Sequence, residues 1–145
     1  MSESTTEPRY LLQVAHLFVG IAGLLAFAAT GQFMHHQLDH LVGMADGPRA
    51  LFRSAHIYLL FCALLHFVLG LHLGRSSGLA GRAIQWLGSG LLFAAFAGFL
   101  FGFYVETAAG EVERPIVRMS IYCCFAGALV HGLERLLSLS TTAPS

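Results

Sequence analysis

Four long apolar runs dominate this chain and limit its fold more than any other feature. Each run has roughly the 20 residues that an α-helix needs to cross the hydrocarbon core of a bilayer. Since lipid offers no hydrogen-bond partner to a backbone N–H or C=O group, such a run has to be helical. The sequence therefore predicts an all-α integral membrane protein with four transmembrane helices in an antiparallel up-down bundle. The predicted helices are 10–34, 51–73, 83–105 and 115–137.

The composition agrees with a lipid environment and excludes several functions. Charged residues make up 11% of the chain, whereas roughly 25% is usual for a soluble domain. The eight basic residues are all arginine and the formal net charge is zero, so no polybasic cluster is present to bind nucleic acid. The sequence contains no phosphate loop, dinucleotide fingerprint, nucleophile elbow or His-Glu-x-x-His motif. We therefore predict no nucleic-acid partner, and nothing indicates an enzyme that acts on its own.

The whole chain is predicted to be one domain, because the segments between the runs are too short to fold independently. Residues 1–8 and 140–145 are predicted to be disordered tails. The first run is too long for a signal peptide and is expected to remain as a helix. Asp46-Gly47-Pro48 predicts a turn before the second helix, and the acidic segment 106–114 is expected to be a loop.

An even number of helices places both termini on one side of the membrane, called the terminal face below. The arginines divide equally between this face and the opposite face, so the positive-inside rule gives a tie. Arg53 and Arg118 are expected in the first turns of their helices, which favours cytoplasmic termini in a bacterial inner membrane. Both side chains are expected to extend to the interface. The alternative pairs them with haem propionates, with a lipid phosphate, or with Asp39, Asp46, Glu106 or Glu113.

Small residues recur every four positions in the third predicted helix, at Gly90, Ala94, Gly98 and Gly102. Such a ladder lets the backbone of another helix approach closely. The sequence does not say whether that helix belongs to this chain. We consider the ladder a candidate contact surface for another membrane subunit.

Three of the histidines inside the apolar runs, His16, His66 and His131, lie about 10 Å from the terminal face at ~1.5 Å per residue. An ionisable residue at such a depth suggests a functional site. Two imidazoles from separate helices at one depth are suited to axial ligation of a b-type haem. We predict His66 and His131 as the ligands, with His16 as an alternate. The alternatives are structural histidines that hydrogen-bond across helices, and another metal site or a proton relay. Small residues on the same helix faces are expected to leave room for the macrocycle: Ala63, Gly70 and Ala128.

The arginines and histidines also suggest an internal repeat. Arg53 precedes His66 by the same 13 residues that separate Arg118 from His131. A helical hairpin used twice would give this pattern. Chance similarity between short apolar segments is the alternative.

A second group of histidines lies near the opposite face, at His35, His36 and His40, and His56 enters the second helix at a nearby depth. Two imidazoles spaced four residues apart on a helix can bind zinc or copper. His36 and His40 have this spacing if the first helix continues. Met34 and Met44 add thioethers suited to cuprous copper. This pattern predicts a copper or zinc site. A second haem held by His56 with His35 or His36, and a solvated loop, are the alternatives.

Three functions follow from these patterns. The preferred one is a b-type haem-binding electron-transfer subunit of a membrane complex, with two histidine ligands. The second is a structural or assembly subunit without a cofactor. The third is a protein that handles copper or zinc through its histidine-rich loop. The sequence does not decide between the first two.

Overall fold

Four helices account for nearly all of the chain that can be described. The computed structural model describes residues 8–74, 78–109 and 113–140. Each helix contains an apolar segment long enough to cross a membrane, which confirms the predicted all-α membrane bundle. The elements are α1 (Pro8–His36), a short 3-10 turn (Asp39–Leu41), α2 (Asp46–His72), α3 (Gly78–Ala109) and α4 (Pro115–Ser140).

Most helices extend beyond the predicted apolar runs, because hydropathy marks the lipid-embedded part while the hydrogen-bond ladder continues into the polar region. Asp46-Gly47-Pro48, predicted as a turn, forms the first turn of α2, where a proline is tolerated because its missing N–H is not needed. Glu106, predicted in a loop, lies in α3. Residues 1–7 and 141–145 of the predicted tails lie outside the described residues, whereas Pro8 and Ser140 are helical.

The earlier start of α2 changes the position of one arginine. Arg53 lies about two turns inside α2 rather than in its first turn, while Arg118 is in the first turn of α4. Both residues are exposed, and neither forms an ion pair with a carboxylate of the described residues. The prediction of cytoplasmic termini therefore depends on Arg118 alone.

Glycines allow α1 and α2 to pack backbone against backbone. A Cβ atom at Gly20 of α1 would lie 2.6 Å from the backbone nitrogen of Phe67. One at Gly70 of α2 would lie 2.5 Å from the backbone nitrogen of Leu17. No real side chain fits at such distances, so both positions need glycine. The two approaches are about one helical turn apart and hold α1 and α2 together as a tight hairpin.

Two residues of the predicted small-residue ladder, Gly98 and Gly102, hold α3 against α4. A Cβ at Gly98 would collide with the hydroxyl of Ser120, and one at Gly102 would lie 2.6 Å from Cγ2 of Val117. These two glycines are therefore used within the chain. They are not free to contact another subunit.

The other two residues of the ladder, Gly90 and Ala94, are exposed. No described atom lies within 4 Å of a Cβ built on Gly90. A contact with another membrane subunit through this ladder would be limited to these two positions. It stays a prediction.

The two hairpins meet through an apolar core between α2 and α3. The core includes Leu59, Cys62, Leu92, Ala95 and Phe99, all of which are buried. The outward helix faces carry exposed apolar side chains such as Phe18 and Leu133, as expected for surfaces in contact with lipid. Two closely packed hairpins agree with the duplication hypothesis, which stays an interpretation.

Candidate functional site

Each of the four helices contributes one polar side chain to a buried cluster, which we call the histidine centre. Its members are His16 of α1, His66 of α2, Ser89 of α3 and His131 of α4. The first three are fully buried and His131 is 7% exposed. Because buried polar groups cost free energy when they lack hydrogen-bond partners, these side chains have to satisfy one another.

The histidine centre forms an unbroken hydrogen-bonded chain across the bundle. His66 Nδ1 lies 2.8 Å from His16 Nδ1, and His16 Nε2 lies 2.9 Å from Ser89 Oγ. Ser89 Oγ lies 3.3 Å from His131 Nε2. The order is therefore His66, His16, Ser89 and His131. At the first end of this chain, His66 Nε2 is buried and makes no hydrogen bond to any described residue.

Aromatic rings seal the histidine centre on the side towards the opposite face. The Phe93 ring stacks on His16 with centroids 4.8 Å apart and lies 4.9 Å from the His66 ring. Phe96, one turn further along α3, meets the His66 ring edge-on at 5.9 Å. Beyond them lies the apolar core, so no polar path continues in this direction among the described residues that form it.

Polar side chains lie instead between the histidine centre and the terminal face. Gln85, one turn before Ser89, is buried and donates a hydrogen bond to the Gly74 carbonyl at 3.0 Å. Its Nε2 atom is also 3.4 Å from Oε2 of Glu134, a residue one turn beyond His131. The centre is therefore polar towards the terminal face and apolar towards the membrane middle.

The structure brings the three predicted haem-site histidines together, but in an arrangement that the sequence did not predict. His16, expected as an alternate ligand, is hydrogen-bonded directly to His66, and its ring centroid is 5.9 Å from that of His131. Two of the small residues that were expected to leave room for a haem instead pack against α1. Gly70 packs on Leu17, and Ala63 lies against Gly23.

Ser89 and Gln85 were not identified from the sequence. Both are single polar residues within the third apolar run, and that isolation was the available signal. The three histidines drew attention because their depths matched. Ser89 joins them because α3 turns this side chain inwards, and hydropathy does not report the rotation of a helix.

The second histidine group gathers at the opposite face as an exposed cluster. His35 Nδ1 lies 3.0 Å from His40 Nδ1, and the His36 ring centroid is 4.3 Å from that of His35. The first helix ends at His36, so His40 lies on the turn that follows rather than one helical turn further on. There Asp39, His40 and Leu41 have positive φ angles.

His56 has other partners. Its Nδ1 atom lies 2.9 Å from Thr30 Oγ1, and its ring stacks on Phe27 at 3.9 Å. No hydrogen bond or ring contact within the described ranges joins it to the loop histidines. No group of three or more His, Cys, Asp or Glu side chains in the described part of the chain is arranged to hold a metal ion. The copper or zinc site stays a prediction.

A buried charge pair near the opposite face was also not identified from the sequence. Glu106 accepts hydrogen bonds from the backbone nitrogens of Ile116 at 2.7 Å and Val117 at 3.0 Å, and so caps the start of α4. Arg114 Nε lies 3.9 Å from the same carboxylate, and its Nη1 donates to Ser54 Oγ at 2.9 Å. Burial lowers the pKa of the Arg114 guanidinium, and the nearby Glu106 carboxylate opposes this effect.

Comparison of the chain with protein-family models, with curated proteins and with solved structures gave no match. The candidate sites therefore rest on geometry, and two polar features of the described residues qualify. The histidine centre lies towards the terminal face, and the Glu106–Arg114 pair lies towards the opposite face.

Proposed function

We propose that this small polytopic membrane protein carries protons along its histidine centre, as a non-catalytic subunit of a membrane complex. The observation that supports this function is the unbroken hydrogen-bonded chain from His66 to His131. Each link is an imidazole or a hydroxyl, and both groups donate and accept hydrogen bonds. Imidazole is also the side chain that exchanges protons most readily near neutral pH.

The chain of hydrogen bonds has two arrangements that share the same heavy-atom positions. In one, His131 Nε2–H donates to Ser89, the Ser89 hydroxyl donates to His16, and His16 Nδ1–H donates to His66. In the other, every donor and acceptor is exchanged. A proton that enters at one end and leaves at the other converts one arrangement into the other, so the tautomers of all three histidines change together.

Glu134 and Gln85 supply the polar groups through which a proton would enter from the terminal face. The carboxylate of Glu134 is one turn from His131 on α4, and Gln85 is one turn from Ser89 on α3. At the other end, His66 Nε2 is buried, and the rings of Phe93 and Phe96 contact the His66 ring. The proposed relay therefore moves a proton between the terminal face and the membrane interior without crossing the bilayer, and the proton that leaves His66 Nε2 goes to a basic group that another subunit of the complex supplies.

Replacing Ser89 by alanine is expected to break the coupling between His131 and the other two histidines. Alanine removes the only hydroxyl that joins His16 to His131 in the described chain. The measurement is solid-state NMR of 15N-histidine-labelled protein in liposomes at one neutral pH. In the unchanged protein the three residues should each show both neutral tautomers in one common ratio, because the two arrangements contain the same number of protons and exchange all three residues together. In Ser89→Ala, the tautomer ratio of His131 should differ from the ratio that His16 and His66 share.

Ser120→Ala is the matched control, because Ser120 is also a buried serine of the bundle but donates only to the Ile116 carbonyl of its own helix. It should leave the three tautomers coupled. A single tautomer at each of the three histidines in the unchanged protein would overturn the relay. The histidine centre would then have a structural role alone.

Haem binding is the second candidate, and the unpartnered Nε2 of His66 favours it. His66 and His131 provide the donor atoms for two axial ligands, and a bound haem would transfer single electrons. The space is less suitable, because the rings of His16 and Phe93 fill the region next to His66. This candidate therefore requires both rings to move aside.

A reduced-minus-oxidised visible spectrum of detergent-purified protein, expressed with ample haem, separates the two candidates. The proton relay predicts no haem band. A b-type band at about one haem per chain, lost in both His66→Ala and His131→Ala, would instead establish the electron carrier. It would also overturn the relay, since iron at His66 Nε2 would block the end at which the proton leaves.

We further infer a bacterial inner membrane location with both termini in the cytoplasm. Arg118, in the first turn of α4, supports this orientation, because the arginines otherwise divide equally between the two faces. A reporter that is active only in the cytoplasm, fused after Ser145, tests it. Activity supports the orientation, and inactivity with full expression reverses it.

A further inference from the structure

The gap between α2 and α4 forms an apolar groove in the side of the bundle. The glycine contacts described above join α1 to α2 and α3 to α4, whereas the α2–α4 contact is slight. Phe61 and Phe125 approach across the gap with ring centroids 6.1 Å apart, and both residues are exposed. The groove has a volume of about 310 Å³, and Phe99 lies behind it.

A second pocket continues this groove towards the opposite face. The two share Tyr58 and Ile121 in their walls. The second pocket, of about 270 Å³, adds the charged side chains of Arg114, Arg118 and Glu113. The combined cleft therefore has a charged end at the membrane surface and an apolar end inside the bilayer.

Arg114 is the feature that points to a ligand at the charged end. Its side chain is only 9% exposed, yet Nε and Nη2 are buried without a hydrogen-bond partner among the described residues. Its Nη1 group is used by Ser54 and the Leu51 carbonyl. A buried guanidinium with unmade hydrogen bonds is unfavourable unless an acceptor is supplied. A phosphate group offers several acceptors in a geometry that suits this fork.

The charges of the cleft favour an anion. Two arginines face one glutamate, Glu113, in its wall. Glu106 pairs with Arg114 from outside the cleft and does not line it. The side chains in the cleft wall itself therefore carry a net positive charge.

The length of the cleft matches one leaflet of a bilayer. Phe125 is ten residues beyond Pro115, the first residue of α4, which is about 15 Å along a helix. Half of the hydrocarbon core has about the same thickness. We propose that this cleft binds an anionic phospholipid, with its phosphate at Arg114 and Arg118 and one acyl chain along Phe61, Phe99 and Phe125.

Native mass spectrometry of the delipidated full chain, titrated with phosphatidylglycerol, tests this site. One phosphatidylglycerol should bind per chain in preference to phosphatidylcholine. Arg118→Gln should weaken binding about fivefold, the effect of one arginine near an anionic lipid. Arg118 is exposed, so the substitution should not disturb folding.

Arg53→Gln is the matched control, since Arg53 is an exposed arginine in the opposite-face half of α2 that does not line the cleft. It should leave affinity unchanged. Equal losses in the two variants, or equal binding of phosphatidylcholine, would overturn the proposal. Glycerol phosphate, which carries the headgroup without acyl chains, should fail to compete. Competition by it at the lipid's own concentration would show that the apolar groove takes no part.

Discussion

Glu106→Ala is expected to lower the free energy of unfolding by about 3–5 kcal/mol, the usual cost of removing one partner from a buried ion pair. The side chain of Glu106 is 7% exposed and that of Arg114 is 9% exposed. Alanine would leave the guanidinium without its counter-charge. It would also leave the backbone N–H groups of Ile116 and Val117 without an acceptor. Unfolding of the detergent-solubilised protein, followed by helix content during titration with a denaturing detergent, measures the change.

Two further variants separate the effect of losing the Glu106 charge from the effect of losing the helix cap. Glu106→Gln keeps the shape and one good acceptor oxygen, so its loss should fall between those of the alanine variant and the unchanged protein. Glu113→Gln removes an exposed carboxylate close to the same arginine and should change stability by no more than about 0.5 kcal/mol. Equal stability of the Glu106→Ala and Glu113→Gln variants would contradict the role of Glu106 as both cap and counter-charge.

The helices themselves were predictable because the bilayer imposes one solution on every long apolar run. Their ends were less so. Hydropathy falls at Asp46 and at Glu106, yet both residues are helical, since a helix does not stop where lipid stops. The buried Glu106–Arg114 pair was missed for this reason. A segment taken to be a loop was not expected to face the interior.

The histidine centre was partly predictable. Depth along a helix can be counted from the sequence, and it correctly brought His16, His66 and His131 to one level. The rotation of each helix about its axis cannot be counted in the same way when apolar residues surround it. The sequence therefore did not reveal that His16 contacts His66 directly or that Ser89 links them to His131.

The two candidate sites lie in different halves of the bundle, and the apolar core separates them. Leu59, Phe99 and their neighbours occupy the region between the histidine centre and Arg114. Neither the proposed relay nor the proposed lipid site depends on the other. A variant such as Arg118→Gln should therefore leave the histidine tautomers unchanged, and Ser89→Ala should leave lipid binding unchanged.

Gly20→Ala is expected to destabilise the α1–α2 hairpin by about 2 kcal/mol or more, the scale of forced overpacking. The new methyl group would lie 2.6 Å from the Phe67 backbone nitrogen and 2.7 Å from its Cα. Backbone atoms in the middle of a helix cannot move aside as a flexible side chain can. The two helices would have to separate, which would also lengthen the His16–His66 hydrogen bond. The same denaturing-detergent titration measures the loss.

Gly90→Ala is the matched control, and it should not lower the stability of the protein. No described atom lies within 4 Å of the added methyl group, so only the better helix propensity of alanine, about 1 kcal/mol in water, remains. The change should be neutral or stabilising. Similar destabilisation at both positions would contradict close packing at Gly20, because the loss would then reflect glycine replacement in general. Destabilisation at Gly90 alone would instead indicate that this open position contacts a second chain.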